Sequence, residues 1–386
     1  MSQFPATFLW GASTSAYQVE GGSRTDWSMW EATHRDWPRV AQAANHYNRF
    51  EEDFDLAAKL SHTAHRFSIE WARVEPKPGE YSQEALDHYR AVVAALRARQ
   101  IEPIVTLWHW TLPTWVAEQG GWLSPETAPA FQRFVGKVVS ALGQDVRYWA
   151  TLNEPEVYAA NAYLTGKRPP SQRNPASYLR VLYRLASAHR DTYRTIHQLS
   201  PQAKVGIAKD CYAFVLARPT WPNRFLRFIA HTWRNVAFLH LTRRHLDWIG
   251  LNYYVCFMVD SRHPLRLGGA WRDLGPQGAP TGLSTLLSWA SRYKLPLIIT
   301  ENGVNDADDS FRGVYITEII EQLSEALQQN IPLIGYLHWS LLDCFEWDSG
   351  YGPKFGLIAV DYGSTLTRTP RASAFTYARL IRSNQA

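Results

Sequence analysis

The sequence is poor in cysteine. Cys211, Cys256 and Cys344 are the three in 386 residues, and no CxxC occurs among them. An odd, widely spaced set argues against a disulfide framework or a structural zinc site, and fits unpaired packing thiols in a reducing cytoplasm. No run approaches 18 uninterrupted apolar residues, so no membrane-spanning helix is expected. The opening MSQFPATFLWGAS has neither the basic start nor the apolar stretch of a secretory signal. Charged residues are scarce at 19% and hydrophobic ones ordinary at 46%, which excludes a disordered chain, a coiled coil or a collagen-like rod. A Gly-rich phosphate loop is also missing. After the first apolar run stand Ala12-Ser13-Thr14-Ser15, with no GxGxxG or GxxxxGK[ST].

Short β-rich runs are plentiful. They are Phe8–Ala12, His65–Ile69, Pro103–Trp108, Tyr148–Asn153, Val205–Ala208, Trp248–Tyr254, Leu297–Thr300 and Leu333–Trp339. Each is too short for a helix and rich in β-branched or aromatic residues. Helical stripes separate them, such as Leu86/Tyr89/Val92/Val93/Leu96, Phe131/Phe134/Val135/Val138/Leu142 and Ile316/Ile319/Ile320/Leu323/Leu327. Ser124 and Pro125 read as N-cap and first residue of the second. Eight strand–helix alternations predict an α/β fold, a single (β/α)8 TIM barrel spanning residues 1–386, over an open doubly wound sheet. Arg168–Pro175 and Gly268–Gly282 read as long loops at its mouth.

In such a barrel, polar residues at the C-terminal ends of strands are the suspects. Tyr148–Asn153 runs into Glu154 and Leu297–Thr300 into Glu301, each glutamate with an adjacent Asn. One such glutamate alone reads as a loop charge or a helix-start carboxylate. Two, projecting into the top of one barrel, suit glycoside hydrolysis, where one carboxyl protonates the leaving oxygen and the other attacks the anomeric carbon or activates water. Two carboxyls suffice for this, so no metal or organic cofactor is implied.

Seven motifs in order then carry a resemblance. Phe4-Pro5 with Phe8–Gly21, His65–Arg73, His109–Pro113, Thr151–Pro155, Asn252–Tyr254, Thr300–Gly303 and Trp339–Trp347 are similar to the signatures of glycoside hydrolase family 1, the β-glucosidase family. The resemblance covers nearly the whole chain. It implies a retaining exo-β-glycosidase, a β-glucosidase first and a β-galactosidase or β-fucosidase next. Glu154 would be the acid/base and Glu301 the nucleophile, with carboxyls about 5–5.5 Å apart. Arg66 would keep Glu301 ionised and Tyr254 would donate to it, with Asn252 in support. Gln18, His109, Asn153, Trp339, Glu346 and Trp347 would hold the sugar. Glu346 would repel a phosphate, favouring unphosphorylated sugars. The alternative for Arg66 is a surface ion pair, which its strand position disfavours. His109 alone reads as a core histidine, but beside Trp108 and Trp110 at a strand end it reads as ligand-facing. Thr111 and Cys344 depart from the common Asp and Asn of the family. The chain is also short, which suggests trimmed loops and an open aglycone side, where Trp115 and Trp271 are candidates.

The charge is uneven. Residues 165–245 hold 15 Lys and Arg against two Asp, a net of +13, leaving −8 for the rest of the chain. This segment carries none of the proposed chemistry. It reads as a basic outer face or as a weak peripheral contact with an anionic surface. No nucleic-acid motif accompanies it, so no nucleic-acid partner is expected. The rival functional readings are an endo-acting cellulase-like barrel, an inert sugar-binding barrel, and a basic-surface binder of lipid or nucleic acid.

Overall fold

The computed structural model describes residues 4–34, 36–262, 271–273, 275–363 and 365–385. The barrel strands are β1 (Leu9–Ser13), β2 (Ala64–Ser68), β3 (Glu102–Thr106), β4 (Tyr148–Asn153), β5 (Lys204–Leu216), β6 (Trp248–Val259), β8 (Leu297–Glu301) and β9 (Leu333–Trp339). The short β7 (Trp271–Asp273) pairs antiparallel with β6 outside the ring. The eight pair in parallel from β1 round to β9, which returns to β1. Helices cover the outside through the apolar stripes read from the sequence: Gln83–Ala98, Thr127–Leu142 and Arg312–Gln328 bury them against the sheet.

The barrel is a packed core. Ala64, Ile104, Ala150, Trp248, Ile298 and Leu337 meet inside its lower half. Burying an indole such as that of Trp248 removes roughly 150–250 Å2 from water, worth about 4–6 kcal/mol at ~25 cal/mol/Å2. It fits because position 206 is glycine: a Cβ there would lie 2.6 Å from the Trp248 ring. The C-terminal helix Ala372–Gln385 packs outside the ring beside Arg312–Gln328, and Tyr377 Oη pairs with both the amide and the carbonyl of Gly11.

Three expectations shift. β5 and β6 run well past Ala208 and Tyr254. β4 leaves β5 at Asn153↔Ala208 and β8 leaves β6 at Asn252↔Glu301, yet β5 and β6 stay paired to Leu216↔Val259. The two strands overshoot the rim because each completes the other's hydrogen bonds. Ser124 Oγ does accept the Glu126 amide, as an N-cap hydroxyl does, but the regular helix starts at Thr127. The described residues of Gly268–Gly282, read as a long loop, include β7 and the start of the helix Ala279–Ala290. Gly282 lies in that helix because a side chain there would strike Ala213, Tyr253 and Cys256.

Candidate active site

The C-terminal strand ends converge on one cavity of about 340 Å3. Ten of the eleven expected site residues line it: Gln18, His109, Asn153, Glu154, Asn252, Tyr254, Glu301, Trp339, Glu346 and Trp347. The eleventh, Arg66, lies buried beneath them with no exposed surface, so the surface-pair reading is overturned. Its guanidinium reaches three other strands. Nε donates to Thr106 Oγ1 at 2.8 Å, Nη1 to Glu301 Oε1 at 2.6 Å and to the Thr300 carbonyl at 3.5 Å, and Nη2 to Asn153 Oδ1 at 2.6 Å. A fork of fixed donors makes this possible, which a lysine could not do.

Glu301 ends β8. Besides Arg66, the Tyr254 hydroxyl donates to its Oε2 at 2.9 Å. Burial pushes its carboxyl upward, and the Arg66 charge with the hydrogen bonds from Arg66 and Tyr254 pulls it back. Among the described residues, Glu154 has no such cation in contact. Asn252 Nδ2 donates to its Oε1 at 3.0 Å. Burial, then the Glu301 charge, then that of Asp210, hold its carboxyl well above the usual carboxylate range. Of the pair, Glu301 therefore ionises first and Glu154 keeps its proton. Glu154 sits at the strand–helix corner with φ 42° and ψ 58°, a left-handed conformation that costs a side-chain-bearing residue roughly 1–2 kcal/mol. The strain aims the carboxyl into the cavity.

An amide relay orders the surrounding shell. Asn252 Oδ1 accepts from Thr300 Oγ1 at 2.7 Å, and its Nδ2 also reaches Asn153 Oδ1 at 3.1 Å. Asn153 Oδ1, claimed by two donors, turns Asn153 Nδ2 toward His109 Nε2 at 3.1 Å. Burial and Arg66 hold the His109 imidazole well below its usual range, so it is neutral, with its proton on Nδ1. That Nδ1 is itself buried and has no partner among the described residues. Gln18 is oriented by Ser15 Oγ at 2.6 Å and the Phe345 carbonyl at 2.8 Å. Trp339 Nε1 and Cys344 Sγ both donate to Glu346 Oε1, at 3.0 and 3.1 Å. Burial raises the Glu346 carboxyl to about 7 against these two bonds. Trp347 packs against Trp110 and Trp27, with centroids 4.7 and 4.5 Å apart.

A family model for glycosyl hydrolase family 1 matches residues 1–224 and 270–386. The chain belongs to this family. As a family 1 chain it is 30% identical to the 1,4-beta-D-glucan glucohydrolase of Thermotoga neapolitana, over 100% of its own length and 99% of that protein. It is 31% identical to beta-glucosidase A of Thermotoga maritima, again over 100% and 99%. Among solved structures, the beta-glycosidase from Pyrococcus horikoshii is similar with a TM-score of 0.91 at 33% identity, covering 100% of this chain and 96% of that one. The first alignment runs over 441 positions, 55 more than this family 1 chain has residues.

Several side chains at the family 1 site escaped the sequence reading. Arg168 lines the cavity, its guanidinium 4.8 Å from the Trp110 ring and paired with Asp348 at 2.8 Å. Asp210, Tyr212 and Phe355 line it too. The basic segment 165–245 is therefore not free of the site, and one of its cations, Lys209, is wholly internal, paired with Glu156 at 2.7 Å and Asp210 at 3.5 Å. The sequence put Arg168 in a loop at the mouth, but nothing local marks it as lining the cavity. Trp108, by contrast, is core: it packs on Trp122 and Tyr158, and its Nε1 donates to the Thr111 carbonyl. Trp115 caps the Glu75 carbonyl away from the cavity. The side chain of Trp271 lies outside the described residues. Thr111 bonds the buried Glu70, and Cys344 supports Glu346 from behind. All three cysteines are buried, and Cys211 lines the cavity. Among the described residues no cluster of three His, Cys, Asp or Glu could hold a metal, and no helix is long and apolar enough to cross a membrane.

Proposed function

We propose that this family 1 hydrolase is a retaining exo-β-glycosidase working by double displacement, with β-glucosides as first substrates and β-galactosides and β-fucosides next. Glu154 passes its proton to the glycosidic oxygen while Glu301 attacks the anomeric carbon. The aglycone leaves as an alcohol and a glycosyl ester to Glu301 forms. With the Glu301 charge gone, the carboxylate of Glu154 takes a proton from water, whose oxygen attacks the same carbon and frees Glu301. The reading is carried by the asymmetry of the two carboxyls: Arg66 and Tyr254 hold one as an anion while Asn252 and burial hold the other as an acid. The names of the relatives support the glucoside preference.

Gln18, His109, Asn153, Glu346, Trp339 and Trp347 bind the glycone, and Glu346 disfavours a sugar phosphate. A cavity of about 340 Å3, small for a ligand site, supports removal of a terminal residue over cleavage within a long glucan. The remaining parts of the reading are one barrel domain over residues 1–386, a cytoplasmic place of work, and a weak contact of the 165–245 segment with an anionic surface. Turnover of aryl β-glycosides by Glu154→Gln and Glu301→Gln is the test, with a 2-fluoro glycoside to trap the ester. Loss of turnover in both and a label on Glu301 are expected. Undiminished hydrolysis in either variant, or a label elsewhere, contradicts the assignment.

A further inference from the structure

The helix Trp221–His231 carries its apolar face outward. Asn223 and Ala230 are buried, and Leu226 packs with Ala230, Phe214 and Val259 on the overshoot of β5 and β6. On the opposite side Trp221, Phe225, Phe228 and Ile229 are 75, 49, 66 and 46% exposed. Helical spacing separates the two stripes by about half a turn. Trp233, 54% exposed, continues the outer face and stacks on Tyr178 of the helix Pro175–Leu199. Soluble surfaces scatter such residues singly, and a contiguous set marks a contact.

A third stripe lies between the two. Arg224, Arg227 and His231 face a second cavity, of about 540 Å3, which Arg292 and Trp289 also line. Among the described residues, no carboxylate lines it. Among the described residues, none of Arg224, Arg227 and Arg292 forms an ion pair with an acid, unlike Arg168 and Lys209 nearby in sequence. Burial, then Arg227 and Arg292, hold the His231 imidazole below its usual range, as expected beside uncompensated cations. Tyr212 lines this cavity and the active-site cavity alike, so the two adjoin there. Most of the helix, from Phe225 onward, lies outside the residues matched to the family.

Apolar side chains aimed at solvent with arginines on one shoulder are what an interfacial helix presents to an anionic bilayer. We propose that this face docks on such a bilayer: Trp221, Phe225, Phe228 and Ile229 enter the headgroup–acyl boundary, and Arg224, Arg227 and Arg292 take lipid phosphates. This narrows the anionic-surface contact read for residues 165–245 to one helix and one cavity, and is independent of the glycosidase chemistry.

The test is co-sedimentation with phosphatidylcholine vesicles, with and without phosphatidylglycerol, at low and high salt. The wild type is expected to pellet with the anionic vesicles only and to be released by salt. Trp221→Ser/Phe225→Ser/Phe228→Ser and Arg224→Gln/Arg227→Gln should each weaken binding, the arginine pair by about 30-fold. Hydrolysis of a soluble aryl β-glucoside, unchanged in both, reports that they fold. Four outcomes overturn the proposal. The wild type ignores anionic vesicles. It binds them equally well in both variants while Arg180→Gln/Arg184→Gln abolishes binding, in which case the broader segment contact survives and this site does not. It binds inorganic phosphate through the arginines but no vesicle. Or it ignores vesicles and forms a dimer in sedimentation velocity that the aromatic variant dissolves, in which case a second copy covers the face.

Discussion

Replacing Tyr254 by Phe removes one oxygen and leaves the ring, which packs edge-on against Phe355. The lost group is the hydroxyl that donates to Glu301 Oε2 at 2.9 Å. A hydrogen bond to an ionised partner is worth about 1.5–3 kcal/mol. It favours the ionised form, so it lowers the Glu301 carboxyl, and its loss lets burial raise that carboxyl further. At about 1.4 kcal/mol per unit, the rise is roughly 1–2 pK units. Glu301 must be ionised to attack. The acidic limb of kcat/KM therefore moves to higher pH by that amount, and at a fixed pH on that limb activity falls about tenfold per unit. The assay is kcat/KM for an aryl β-glucoside across the acidic range, with the unfolding midpoint measured on the same preparations. An acidic limb that stays in place, or moves to lower pH, refutes the reasoning.

Cys344→Ala removes the thiol donor from Glu346, whose carboxyl then climbs above about 7. KM near neutral pH should rise about 2–10-fold and its pH dependence move upward, with kcat little changed, and an unaltered KM profile counts against this. Lys209→Met leaves Glu156 and Asp210 buried without their cation, and denaturant unfolding should show a loss of about 3–5 kcal/mol, whereas a loss under about 1 kcal/mol contradicts the pairing. Asp26, buried and accepting the Leu112 and Trp27 amides, is raised from 3.8 to about 8. The folded chain thus holds that proton more tightly than the unfolded one. The stability it contributes is complete below about pH 4 and lost as pH rises toward 8. Asp26→Asn should flatten that fall in urea midpoints, and equal slopes refute it.

The eight strands are legible because each is a short apolar run between helical stripes, and the two glutamates because they stand just where such runs stop. The overshoot of β5 and β6 is not legible. Its residues Tyr212–Leu216 and Val255–Val259 satisfy one another's backbone, a pairing across some 40 positions that no local periodicity records. The same limit explains Trp108 and Trp110. They stand two apart, yet a left-handed turn at Trp110 (φ 77°) helps send one ring to the core and the other to the cavity. Arg168 is legible as part of a loop at the mouth, but not its packing against Trp110 or its pairing with Asp348, which bring it to the cavity itself. Arg66 carries a motif but no sign of its depth. Only the closed ring shows that a side chain from β2 can bond to β3, β4 and β8 together.

That reach makes Arg66 a fuse. Any loosening that parts β4 from β8 must pull the guanidinium off either Asn153 or Glu301. The first choice unseats the amide relay and the second leaves a buried carboxylate without its counter-charge. In both cases catalysis stops while the helices outside remain in place. Heating should therefore extinguish turnover before the far-ultraviolet signal moves, and the barrel's ring closure can be read from its chemistry.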